Sequence, residues 1–120
     1  MIDYKIRDFL KECSLFITLN KIKRNPTIRN KYNETLALYL AKNGYIPPKE
    51  FAHDPTLTNK SGITVAMYLA RHNLDIPEYW DHDPTLTDSE GHTVALHAAY
   101  FAYPIPGKYI HDPDIVSKFN

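Results

Sequence analysis

The sequence has too little cysteine for a disulfide framework and no apolar run long enough to cross a membrane. Cys13 is the only cysteine in 120 residues, which excludes an intrachain disulfide and favours a reducing, cytoplasmic location. Its helical spacing among apolar residues favours a buried filler over a nucleophile. No apolar run approaches the ~20 residues of a membrane helix, and no charged-then-apolar leader indicates a signal peptide.

The usual catalytic motifs are also missing. The sequence contains no Gly-rich phosphate loop, no serine elbow and no paired-carboxylate motif. His92 and His97 are five residues apart, too far round a helix for both to face one ligand directly. We therefore expect a protein that is not an enzyme and that carries no cofactor.

The formal net charge is zero, but the two halves of the chain differ in sign. Residues 1–50 carry ten Lys or Arg and five Asp or Glu, whereas residues 51–120 carry four and nine. Such asymmetry gives an elongated protein a long-axis dipole. With a neutral total, a solvated capping surface is favoured over a nucleic-acid patch for the basic group. That group comprises Lys21, Lys23, Arg24, Arg29 and Lys31.

What the sequence does have is a repeat with a period of 29 residues. Asp-Pro-Thr-Leu-Thr at residues 54–58 recurs at 83–87, and related segments lie at 25–28 and 112–115. Between residues 54–82 and 83–111, 13 of 29 positions are identical. A fixed period of this size predicts stacked supersecondary units, none of which can bury its apolar face alone.

Each repeat divides into the same parts. A four-residue tip ending in Asn33, Gly62 or Gly91 predicts a type I turn, and a threonine two residues on predicts a helix N-cap. Alanines four residues apart predict a stacking stripe on this first helix. A second, shorter helix is predicted to begin at a proline, and an aromatic residue three positions later should anchor successive layers. These columns are Thr35, Thr64, Thr93; Ala37, Ala66, Ala95; Ala41, Ala70, Ala99; Pro48, Pro77, Pro106; and Phe51, Trp80, Tyr109.

The period sets the predicted boundaries. Repeats occupy residues 25–53, 54–82 and 83–111, and residues 112–120 form a truncated fourth repeat or a C-terminal cap. Residues 1–24 are predicted to form one amphipathic capping helix, with an N-cap at Asp3. Its apolar face would consist of Ile6, Phe9, Leu10, Cys13, Phe16 and Ile17.

The dipeptide His-Asp closes each repeat, at residues 53–54, 82–83 and 111–112. Metal-dependent phosphohydrolases use His-Asp pairs, so a metal site must be weighed. Stacked units lie about 10 Å apart, whereas zinc–nitrogen bonds are only about 2 Å long. We therefore expect no metal site, and interpret each histidine as bonding the adjacent turn and locking successive repeats.

The tip, the two helices and the Gly-x-Thr lead-in to an Ala-rich helix resemble the ankyrin repeat. The residues that carry the resemblance are Asn59, Gly62, Thr64, Ala66 and Ala70, with Asp88, Gly91, Thr93, Ala95 and Ala99 in the next repeat. Thr-Val-Ala-Met and Thr-Val-Ala-Leu replace the usual Thr-Pro-Leu-His, and the period is shorter than the ankyrin value of about 33. The chain is similar to short, divergent repeats of the bacterial or viral type. The expected fold is an all-α, ankyrin-like helix-turn-helix solenoid of three repeats with an N-terminal capping helix.

The ankyrin resemblance implies a binding module whose contact surface combines the tips with the ends of the first helices. The implied partner-binding residues are Lys31, Tyr32, Lys60, Ser61, Ile63, Arg71, His72, Ser89, Glu90, His92, Tyr100 and Phe101. In the third repeat, Tyr100 and Phe101 stand where the second repeat has Arg71 and His72, and Tyr103 stands where it has Leu74. These aromatic residues indicate either an exposed interface or a surface covered by Ile115, Val116 and Phe119.

The leading hypothesis is a non-enzymatic module that binds another protein, as an adaptor or as an occluding inhibitor, for instance a viral or bacterial antagonist. A second hypothesis is self-association, as a homodimer through the last repeat or end to end. A third is nucleic-acid contact through the basic first half, which would weaken steeply with salt.

Overall fold

The computed structural model describes residues 2–13 and 17–109, apart from the side chain of Lys108. Throughout these ranges the regular structure is helical, which confirms the predicted all-α class. The α-helices are α1 Ile2–Lys11, α2 Leu19–Arg24, α3 Leu36–Lys42, α4 Val65–Arg71 and α5 Val94–Tyr100. A lone antiparallel bridge pairs Arg29 with Thr35. None of the described helices is both long and apolar enough to cross a membrane.

Helices α3, α4 and α5 begin at the predicted threonine caps. The hydroxyl oxygens of Thr35, Thr64 and Thr93 each accept a hydrogen bond, 3.2 Å long, from the backbone N–H three residues later. Each cap satisfies an N–H that the helix itself leaves without a partner, a contribution of about 1 kcal/mol. The three caps are confirmed.

Two residues after the end of each of these helices, the backbone adopts a left-handed conformation that was not predicted from the sequence. Gly44, Asn73 and Ala102 have φ values of 86°, 56° and 60°. The N–H of the following residue bonds a carbonyl five positions earlier, at 2.9–3.0 Å, as in a Schellman motif. Ala102 has a Cβ in this conformation and is therefore strained by about 1–2 kcal/mol.

The predicted second helix is shorter than expected and is not an α-helix. In its place stands a single 3₁₀ turn of three residues, at Lys49–Phe51, Glu78–Trp80 and Gly107–Tyr109. Pro48 and Pro77 precede these turns in extended backbone, with φ of −60° and ψ of 151° and 152°. A 29-residue period leaves no room for more, because the chain must extend again before the next Asp-Pro and proline disfavours a helical residue before it.

The core lies between successive units, the name used from here for the predicted repeats at residues 25–53, 54–82 and 83–111. Helix α4 packs against α3 on one side and α5 on the other. The first alanine column is fully buried, so these helices approach closely, as predicted. Phe51, Trp80 and Tyr109 are only 0–1% exposed, which confirms the aromatic anchors. The Trp80 indole N–H also donates to the Pro47 carbonyl at 3.1 Å.

His53 and His82 lock the units together, as interpreted from the sequence. The Asp54 carbonyl can only accept, so His53 donates to it from Nδ1 at 2.9 Å, while Nε2 accepts from the Thr35 hydroxyl at 2.9 Å. His82 makes the equivalent bonds at equal lengths. The His53 ring also meets Trp80 of the next unit edge-on, with centroids 5.1 Å apart. Burial lowers the pKa of His53.

The N-terminal segment contains two helices where one was predicted. Helix α1 packs against α3, and α2 packs against the first 3₁₀ turn. Phe9 and Ile22 are fully buried beneath them. Asp3 is in the first turn of α1 and is not its cap, while Thr18 caps α2. Burial raises the pKa of the half-buried Cys13 thiol. The predictions for Phe16, His111, Ile115, Val116, Phe119 and the whole segment 112–120 lie outside the described residues.

Candidate functional site

The tips are organised by one side-chain oxygen each. Oδ1 of Asn30, Asn59 and Asp88 accepts two backbone N–H groups, two and four residues later, at 2.9–3.0 Å. The chain then turns through Asn33, Gly62 or Gly91, at φ of 63°, 76° and 82°. The second and third tips are joined by a backbone bond from Ser89 N–H to the Ser61 carbonyl, at 3.0 Å.

The third unit replaces a neutral polar pair with an ionisable one. In the second unit, the Asn59 amide donates to the Tyr68 hydroxyl at 2.6 Å. Twenty-nine residues later, Asp88 and His97 take these places, and His97 Nε2 lies 2.9 Å from Asp88 Oδ2. Because an ionised carboxylate only accepts, His97 donates from Nε2.

This pair forms one wall of a cavity of about 260 Å³ between the second and third units. The cavity is bounded by the tips on one side and by the ends of α4 and α5 on the other. Its lining residues are Ile63, Arg71, Asp88, Glu90, His92, Leu96, His97, Tyr100 and Phe101. Six of the twelve predicted partner-binding residues therefore converge here: Ile63, Arg71, Glu90, His92, Tyr100 and Phe101.

The Asp88 carboxylate is fully engaged within the protein. Burial acts to raise its pKa, but backbone N–H groups of His92 and Glu90, together with His97, outweigh burial and lower the pKa of Asp88. Burial lowers the pKa of His97, against the opposing attraction of Asp88. His92 Nδ1 lies 3.8 Å from the same carboxylate, and the two imidazole rings meet edge-on at 5.9 Å.

Arg71, at the end of α4, brings positive charge to the opposite wall. Its guanidinium carbon lies 5.7 Å from the centre of the Tyr68 ring and 5.3 Å from that of Phe101. Phe101 and Tyr100 are themselves in contact, at 5.2 Å, and are 41% and 68% exposed. The cavity mouth thus combines exposed aromatic surface with a half-buried cation, the residue types enriched at binding hot spots.

An aspartate that orients a histidine also occurs in catalytic triads, but a triad needs a nucleophile. Among the residues that the structure describes, none that lines this cavity is a serine, threonine or cysteine. Nor do His, Cys, Asp and Glu side chains group in threes suited to a metal ion anywhere within residues 2–13 and 17–109. The geometry suits recognition of a ligand by charge, hydrogen bonding and apolar contact.

Six predicted contact residues lie away from the cavity. Lys31 and Tyr32 belong to the first tip, where Lys31 pairs with Glu12 at 2.8 Å and lies over the Tyr32 ring. Lys60, Ser61 and Ser89 are exposed on the second and third tips. The sixth residue, His72, donates from Nε2 to the Lys42 carbonyl at 3.0 Å and so links the ends of α3 and α4.

The basic group of the first half is partly neutralised. Besides Lys31, Lys23 lies 3.6 Å from Glu50. Arg29 donates to the carbonyls of Asn33 and Thr58, which ties the first tip to the second unit. The two ion pairs offset part of the positive charge, and the carbonyl contacts occupy hydrogen-bond donors of Arg29.

Sequence reasoning missed three lining residues: Asp88, Leu96 and His97. The prediction that His92 and His97 face apart is wrong, because His92 precedes the Thr93 cap of α5 and both rings approach the Asp88 carboxylate. A usable signal was present in the repeat itself. Aligning the units shows that Asn and Tyr, nine residues apart, become Asp and His in the third.

A second cavity, of about 410 Å³, is lined by residues 73–76 and 104–106, the segments that follow α4 and α5. Only Asp75 among its lining residues is charged, and none belongs to the predicted contact set. Comparison with known proteins gives no match, whether to family models, curated proteins or solved structures.

Proposed function

We propose that this protein is a non-enzymatic, ankyrin-like binding module that acts by occupying a site on another protein. The observation that carries the proposal is the convergence of residues from the second tip, the third tip and the ends of α4 and α5 on one cavity. We name these nine lining residues the third-unit site.

The ankyrin-like part of the proposal is supported by the recurrence of tip, Thr-capped helix and closing turn at the 29-residue period. Stacked units of this kind present their tips and helix ends along one continuous surface. Exposed aromatic residues beside a half-buried cation support protein binding on that surface. If the module covers the functional site of its partner, the partner would be inhibited. If the partner keeps its activity while bound, the module would act as an adaptor.

The test uses the full chain immobilised as bait against an extract of its source cells, with bound proteins identified by mass spectrometry. We expect Phe101→Ala and Arg71→Ala to lose the specific partner. The matched control is Tyr32→Ala, which removes an aromatic residue that is 56% exposed on the first tip, away from the third-unit site. Thermal unfolding of each variant establishes that it is folded.

Retention of the partner by Phe101→Ala and Arg71→Ala, with loss in Tyr32→Ala, would move the site to the first tip and contradict the proposal. A solution mass of two chains, reduced to one by Phe101→Ala, would favour the self-association hypothesis instead.

A further inference from the structure

Arg71, the arginine of the third-unit site, has a different environment from Lys42, its counterpart in the first unit. Lys42 and Arg71 occupy equivalent positions at the ends of α3 and α4. Lys42 pairs with Glu34 at 3.2 Å, and the Glu34 side chain is only 5% exposed. In the second unit the position of Glu34 is taken by Ile63, so Arg71 has lost that carboxylate partner.

No other acid replaces it within the part of the chain that the structure describes. None of the ion pairs found there includes Arg71. Tyr68 and Phe101 hold the guanidinium through their rings, but rings do not satisfy its five N–H donors as a carboxylate does. Arg71 is half-buried as a residue, and a guanidinium without a carboxylate partner is suited to a bidentate acid.

Neither acid that shares the site forms an ion pair with Arg71 in the described part of the chain. Asp88 already accepts two backbone N–H groups and His97. Glu90 is exposed on the third tip. Ile63, Leu96 and Phe101 line the same cavity and supply apolar surface around the cation.

We propose that Arg71 receives an aspartate or glutamate side chain of the partner, with an apolar neighbour of that acid seated against Ile63 and Leu96. The inference rests on the proposed function and specifies the chemistry of its partner. The positive charge of Arg71 favours an acidic residue, and the apolar surface of Ile63 and Leu96 favours an apolar residue beside it.

The experiment compares two blocked tripeptides, acetyl-Leu-Glu-Leu-amide and acetyl-Leu-Gln-Leu-amide, which differ only in the charge of the central residue. Binding to the full chain is followed by NMR through the Arg71 Nε–H and the methyl groups of Ile63 and Leu96. We expect the Glu peptide to bind about tenfold more tightly, as for one charge-assisted contact. The preference should vanish in Arg71→Gln and be partly kept in Arg71→Lys. In the control Lys42→Gln, which removes the paired cation, it should persist.

Equal affinity of the two peptides, binding of neither, or an unchanged preference in Arg71→Gln would overturn the inference. Partner capture that still depends on Phe101 would leave the proposed function standing in that case. A shift of the Arg71 Nε–H in the double variant Asp112→Asn, Asp114→Asn without peptide would show that the chain's own acids fill the site, and would also overturn it.

Discussion

Replacing Gly62 by alanine should destabilise the protein more than the same replacement at Gly91, although both glycines close equivalent tips. Their φ values are 76° and 82°, so alanine costs about 1–2 kcal/mol at either position. A Cβ at Gly62 would lie 2.8 Å from the Ser89 backbone nitrogen, whereas one at Gly91 would meet no atom of the described residues within 4 Å. The crowded atom is backbone, so the third tip must move.

We expect Gly91→Ala to lower the free energy of unfolding by about 1–2 kcal/mol. Gly62→Ala adds an overpacking cost of about 1–3 kcal/mol and should total about 2–5 kcal/mol. Part of this cost reflects the bond from Ser89 to Ser61, which the displaced tip cannot keep. Urea unfolding followed by circular dichroism measures both values, provided that the m-value is unchanged.

The same pair of variants also tests the third-unit site. Asp88 directly precedes Ser89, so Gly62→Ala should displace the carboxylate that holds His97 and should weaken partner binding. Gly91→Ala leaves this contact in place and should bind normally. Unfolding free energies within about 0.5 kcal/mol of each other would refute the close packing of the two tips.

Trp80→Ala should lower the free energy of unfolding by about 3–5 kcal/mol, because the indole is fully buried; a Tm close to that of wild type would show that the ring is exposed. Ala102→Gly should raise it by about 1 kcal/mol by relieving the left-handed strain, and a loss in urea unfolding would contradict this. Asp88→Asn and His97→Tyr should each lower the free energy of unfolding. The double variant recreates the Asn59–Tyr68 pair of the second unit and should recover stability. Additive effects of the two changes in a double-mutant cycle would argue against the pairing. The lowered pKa of His53 means that its contribution to stability is present above about pH 6.5 and is lost as the pH falls towards the folded pKa, since the unfolded state then binds more protons. The difference in unfolding free energy between wild type and His53→Gln should therefore shrink on acidification, and a pH-independent difference would contradict this.

Much of the local structure could be predicted because it depends on short-range chemistry. A threonine ahead of an apolar run caps its helix through its own hydroxyl and the nearby backbone. Asn33, Gly62 and Gly91 occupy the left-handed position of each tip because few other residue types tolerate that conformation. Helix length was less predictable. The second helix became a 3₁₀ turn because the period leaves it too little chain.

The site was only half predictable. Arg71 and Phe101 were singled out because the repeats differ there, but that difference gave no reason to place them in contact. His72, chosen on equal grounds, bonds a backbone carbonyl in the preceding unit instead. The tip pattern predicts only a turn role for Asp88, and its second role depends on His97, which the fold brings beside it.

By itself, the sequence determined the 29-residue period, the caps, the tip turns and the residues buried between units, because each depends on a residue and its near neighbours in the chain. Tertiary structure alone decided which exposed residues form one site and why Gly62 and Gly91 differ. Both depend on distances between residues about 29 positions apart, which the packing of α3, α4 and α5 sets and no local pattern encodes.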